Sequence, residues 1–82
     1  MEKIFKIWKE TKERHEEWVV LVRTEEFYET CCEDAVTLAN IFGHIVTDTE
    51  EGEKYVFLKH SLDRYLSHII RRGYKVAIVE GE

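Results

Sequence analysis

The sequence contains no proline, and only four glycines and two cysteines. Without proline there are no stiff polyproline linkers, so connections rest on glycine and polar turns. Gly43, Gly52, Gly73 and Gly81 each follow or separate a periodic segment and read as punctuation. The cysteines, Cys31 and Cys32, are neighbours, and a bond between neighbours strains the intervening peptide. No structural disulfide is expected, which suits a reducing compartment. No stretch approaches the roughly 18 apolar residues that a membrane span needs. Residues 1–6 mix charge with apolar side chains and lack the apolar core of a secretory signal. The expectation is a protein that stays in the cytoplasm where it is made.

What is present suits one folded domain spanning residues 1–82. The hydrophobic fraction is 44% and the charged fraction 35%, ordinary values for a globular chain. This length leaves no room for a second core. Seventeen acidic residues outweigh twelve basic ones, for a formal net charge of −5. That balance disfavours a general nucleic-acid binder, whose affinity comes largely from neutralising phosphates, although a local site can differ from the average.

Periodicity gives the elements. Glu2 to Glu16 reads as a helix with Ile4, Ile7, Trp8 and Thr11 on one side and Phe5 beside them. Trp18 to Arg23 is short, apolar and β-branched, and reads as a buried strand. Thr24 is placed to cap a second helix running to Phe42, with a stripe of Tyr28, Cys32, Ala35, Ala39 and Phe42, flanked by Cys31 and Leu38, and with Gly43 as its terminator. His44 to Thr49 and Lys54 to Lys59 read as a hairpin about the turn Glu50-Glu51-Gly52-Glu53. Ser61 is placed to cap a third helix with a stripe of Leu62, Tyr65, Leu66, Ile69 and Ile70, and Tyr74 to Val79 forms a last strand. The order α-β-α-β-β-α-β implies an α/β (α+β) domain, with a mixed sheet of about four strands and three packed helices.

Motifs for catalysis are missing. There is no phosphate-binding Gly-x-x-x-x-Gly-Lys-Ser/Thr loop, no Gly-x-Gly-x-x-Gly and no Gly-x-Ser-x-Gly. His15, His44, His60 and His68, with the cysteine pair, match no zinc spacing; they read as surface histidines and small core residues. The expectation is a binding domain with no catalytic residues, metal or cofactor.

Several segments, in order, resemble the amino-terminal mismatch-recognition domain (domain I) of the MutS DNA mismatch-repair family. The central one is Val20-Leu21-Val22-Arg23-Thr24-Glu25-Glu26-Phe27-Tyr28-Glu29, followed by Asp34-Ala35. The later one is His60, Leu62-Asp63, Tyr65-Leu66, then Gly73-Tyr74-Lys75-Val76-Ala77-Ile78 and Glu80. Trp8, Lys12 and Thr47 fall in register too. The resemblance implies that domain's fold and DNA bearing a mismatch as partner. It implies that Phe27 wedges into the minor groove and stacks on the mispaired base while Glu29 hydrogen-bonds that base. A domain that senses deformability rather than base identity would work this way, because unstacking is cheapest at a mispair.

The pattern departs from the family in two places. Glu25-Glu26 replaces the family's glycine and aspartate before the wedge, removing a residue free to adopt positive φ. Asp48-Thr49 follows Thr47 where the family often has a basic pair. Basic side chains remain at Lys12 and on the third helix at Arg64, His68, Arg71 and Arg72; Lys12, Arg64, Arg71 and Arg72 are candidate phosphate or partner contacts. On helical geometry, with Tyr28 near the stripe centre, Phe27 lies about 80° to one side of that centre and Glu29 about 120° to the other. Connector, clamp and ATPase regions are not in the sequence, so DNA binding in isolation is expected to be weak. Other repair proteins, or the rest of a MutS-type chain, are the further partners implied. The alternative is a diverged relative that acts as an acidic protein-interaction module.

Overall fold

The computed structural model describes residues 3–81. Helix α1 (Lys3–Arg14) is followed by strands β1 (Val19–Arg23) and β2 (Phe27–Cys31), then helix α2 (Cys32–Phe42). Strands β3 (Thr47–Thr49) and β4 (Gly52–Leu58), a 3-10 turn (Lys59–Ser61), helix α3 (Leu62–Arg71) and strand β5 (Val76–Glu80) complete the domain. The expected start of the first helix at Glu2 lies outside the described residues. The fold class is the one expected, an α/β domain with three helices on a mixed sheet, and the sheet has five strands in the order β3-β4-β2-β1-β5.

The extra strand corrects the reading of the second helix. Thr24 caps no helix; its hydroxyl accepts from Phe27 N–H at 3.2 Å and donates to Phe27 O at 3.0 Å, while Thr24 N–H donates to the same carbonyl at 2.8 Å. This closes a tight β1–β2 turn over Glu25 and Glu26. Among the described residues the only non-glycine with positive φ is Cys32, at +53°, so the turn forms without the glycine that the family has there. Tertiary pairing overrides the helical stripe because Phe27-Tyr28-Glu29-Thr30-Cys31, rich in aromatic and β-favouring residues, adds β2 between β1 and β4.

β1 and β5 are parallel, whereas β1–β2, β2–β4 and β3–β4 are antiparallel. The β2–α2–β3 and β4–α3–β5 connections leave antiparallel strands in opposite lateral directions. Two right-handed crossovers of that kind put both helices on one face of the sheet. Val19, Leu21, Tyr28, Tyr55 and Phe57 pack there against Ala35, Leu38 and Ala39 of α2 and Tyr65 and Ile69 of α3. On the other face Trp8 of α1 packs with Val20, Val22 and Cys31. Strand β1, between β2 and β5, is thereby buried on both sides, as its continuous apolar run required. Ile70, assigned to the α3 stripe, is instead 59% exposed.

A buried polar knot joins α1, β1 and α2. The Asp34 carboxylate accepts from Trp8 Nε1 at 3.0 Å, Val20 N–H at 3.0 Å and Lys12 Nζ at 2.8 Å. Lys12 also donates to Trp18 O at 2.5 Å. Burial pushes the Asp34 carboxyl above its ordinary range, against the pull of Lys12, Val20 N–H and Trp8. Trp8 and Lys12, one turn apart on α1, and the distant Asp34 are thus parts of one contact.

Candidate nucleic-acid interface

Successive side chains of a strand point to opposite faces, so residues two apart share one. Tyr28 turns into the α2–α3 core, and Phe27, Glu29 and Cys31 therefore lie on the α1 side of β2. On β4 the same face carries Lys54, Val56 and Leu58, paired in register with Cys31, Glu29 and Phe27. Helix α1 shelters Cys31 but leaves the upper part of this face open. Phe27 is 40% exposed, and Val56 and Leu58 are exposed beside it. Three apolar side chains thus form one patch at the mouth of the β1–β2 turn.

Polar groups flank that patch. Lys54 Nζ lies 3.2 Å from Glu29 Oε1, with the two side chains 28% and 15% exposed. The contact compensates charge but is not aligned as a hydrogen bond, because Glu29 Oε1 is buried without a hydrogen-bond donor. The turn itself is tied to the far end of β4: Lys59 N–H donates to Glu26 O at 3.0 Å and Lys59 Nζ to Glu25 O at 3.3 Å. Arg23, at the end of β1, sits 3.5 Å from Glu80.

Alongside the open edge of β4 runs a groove of about 520 Å³ lined by Phe27, Val56, Leu58, His44, Tyr55 and Arg64, among others. His44 Nδ1 hydrogen-bonds the Tyr55 hydroxyl, and Tyr55 Oη lies 3.2 Å from Tyr65 Oη. Burial and the Tyr65 hydroxyl push the Tyr55 phenol far above its ordinary range, so it stays neutral at every working pH.

The six residues singled out from sequence do not converge on one place. Phe27 and Glu29 come together on one face, and Arg64 reaches the groove beside them. Lys12 is turned inward, with its side chain 12% exposed and its ammonium on Asp34 and Trp18. Arg71 bonds Ser67 Oγ at 3.0 Å, and it and Arg72 stand exposed at the end of α3. Sequence reasoning passed over Lys54, Val56 and Leu58. Their alternation along Lys54 to Lys59 was visible, but which face would stay open was not.

Among the described residues no group of three or more His, Cys, Asp or Glu side chains is placed to hold a metal ion. Burial, then the carboxylates of Glu53, Glu33 and Asp34, push the Cys32 thiol upward, the reverse of what a reactive thiolate needs. No helix among the described residues is long and apolar enough to cross a membrane.

Comparison with known proteins shows the family. Residues 2–82 match the family model described as MutS domain I. The chain is 31% identical over 77 residues to the DNA mismatch repair protein MutS of Fervidobacterium nodosum, covering 94% of this chain and 9% of that protein. It is 32% identical over 80 residues to the protein of the same name from Thermotoga neapolitana, covering 98% and 10%. To that of Phocaeicola vulgatus it is 37% identical over 76 residues, covering 87% and 9%. The chain spans about a tenth of the length of these curated relatives.

Proposed function

The chain belongs to the MutS domain I family, and from that premise we propose that it binds duplex DNA carrying a mispaired base, without chemistry or cofactor of its own. Phe27 enters from the minor groove and stacks on the mispaired base, and Glu29 meets that base's edge. The observation that carries this reading is the placement of Phe27 and Glu29 two residues apart on one face of β2, the exposed ring flanked by exposed Val56 and Leu58 and the carboxylate half-sheltered against Lys54. An apolar patch of this kind suits insertion between base steps. Unstacking costs a few kcal/mol and least at a mispair, and stacking on an aromatic returns about 1–3 kcal/mol whatever the base. The wedge therefore selects for weak pairing and not for sequence.

The charge balance sets the affinity. At a net charge of −5 the isolated domain gains little from phosphates, so binding is weak and confined to low salt. Its working partners are then other repair proteins or the rest of a MutS-type chain, which hold it to DNA while it reads. Its place is the cytoplasm, at the nucleoid when bound to DNA. Arg64, beside the groove, and the exposed Arg71 and Arg72 are the phosphate or partner contacts; Lys12 serves only if it leaves Asp34.

Fluorescence anisotropy with a labelled duplex carrying one G·T mispair, and its matched counterpart, tests the reading. The wild-type chain prefers the mispaired duplex at low salt. Phe27→Ala loses that preference, weakening mismatch binding by about 5- to 150-fold from the lost stack, and keeps its circular dichroism. Equal binding of both duplexes by the folded wild-type chain would overturn the proposal.

A further inference from the structure

The Lys54–Glu29 pair is unusual for a surface that is to meet DNA. Its carboxylate repels phosphate, and its buried oxygen lacks a directed donor. The floor of the minor groove mainly offers acceptors, N3 of purines and O2 of pyrimidines, with the guanine N2 amino group as its one donor. A carboxylate alone finds a partner there only at guanine. The ammonium of Lys54, 3.2 Å from Glu29 Oε1, supplies the complementary donors. It stands on the same sheet face as Phe27, two residues along β4 from Val56 and four from Leu58, the residue paired with Phe27. Long side chains on diagonal strand positions reach one another and the space above them.

We propose that Lys54 is a further reading residue of this interface. Its ammonium donates to the O2 or N3 acceptor of the base that Phe27 displaces, while Glu29 accepts an N–H from the same or the adjoining base. The two side chains hold each other in the absence of DNA and separate onto donor and acceptor atoms of the opened base step. In a matched, stacked duplex the ring does not enter, the ammonium does not reach the groove floor, and the ion pair stays closed. This rests on the reading of Phe27 and Glu29 given above and adds to it a donor that contacts bases and not phosphate.

The test measures the ratio of mismatch to match affinity by anisotropy, at one low salt concentration, for wild type, K54M, K54R, E29Q and the K54M/E29Q double variant, with F27A as reference. The expected result is that K54M lowers the ratio by about tenfold, the loss of one charge-assisted hydrogen bond. It does so again in the E29Q background, while K54R keeps most of the ratio because it keeps donors. If K54M weakens both duplexes equally and leaves the ratio unchanged, Lys54 is a phosphate contact and the proposal fails. If K54M has no effect in the E29Q background, Lys54 only positions Glu29, and the proposal fails there too. In both cases the parent reading survives through F27A. If the wild-type chain shows no preference and F27A changes nothing, the parent reading fails and this inference falls with it. Native circular dichroism of K54M and K54R excludes misfolding as the cause.

Discussion

Replacing Lys12 by methionine should remove a large share of the stability of this domain. The Lys12 ammonium and the Asp34 carboxylate meet at 2.8 Å with side chains 12% and 4% exposed. This is a buried pair, and removing one partner of such a pair typically costs about 3–5 kcal/mol, because the other charge is left uncompensated. A domain of 82 residues has roughly 4–12 kcal/mol in all, so Lys12→Met should leave it close to unfolding. Since 1 kcal/mol moves the midpoint by about 4–8 °C at this size, the melting temperature should fall by well over 10 °C. Thermal and urea unfolding followed by circular dichroism measure both quantities. The pH dependence supplies an independent check. The folded-state pKa of Asp34 is raised, so the native state binds its proton more readily than the unfolded chain. Its contribution to stability is fully present below the unfolded value near 3.8 and is lost as pH rises through the raised folded value. The stability difference between wild type and Asp34→Asn should therefore shift in favour of wild type as pH falls through that window. In Lys12→Met, where the compensating cation is gone, the destabilisation should shrink over the same descent. A loss below about 1 kcal/mol in Lys12→Met, the range of exposed ion pairs, would refute the argument.

Two further substitutions test the packing near the proposed interface. Gly81→Ala puts a methyl 2.8 Å from Arg23 O and 2.9 Å from Val22 Cγ1; it should cost about 1–3 kcal/mol in urea unfolding, and no cost would show that β5 and β1 are less closely joined than described. Tyr55→Phe removes the hydroxyl shared by His44 and Tyr65; it should cost about 1 kcal/mol by the same measurement, and an unchanged midpoint would mean that this network adds nothing.

Much of the architecture was legible in the chain. The run Val19-Val20-Leu21-Val22 announced a strand buried on both faces, and it is the interior strand β1, flanked by β2 and β5. Leu62, Tyr65 and Ile69 announced α3, and Gly43 ends α2 in the left-handed conformation a glycine favours. The segment from Phe27 to Cys31 was misread because Tyr28, Cys32 and Ala35 also fall on a helical stripe, and a local pattern cannot weigh hydrogen bonds that arrive from β1 and β4. That error mattered for the site, because a helix would have sent Phe27 and Glu29 apart.

The sequence by itself determined the kind of domain, its family likeness, and the residues with a chemistry suited to base contact, since apolar period, turn chemistry and residue type are properties of the local chain. Only the tertiary structure decided which of them lie together. Strand pairing set Phe27, Glu29, Val56, Leu58 and Lys54 on one face, and that face stays exposed at Phe27, Val56 and Leu58. Burial turned Lys12 from a surface cation into the counter-charge of Asp34. Register and burial arise from contacts between residues far apart along the chain, and no local pattern encodes them.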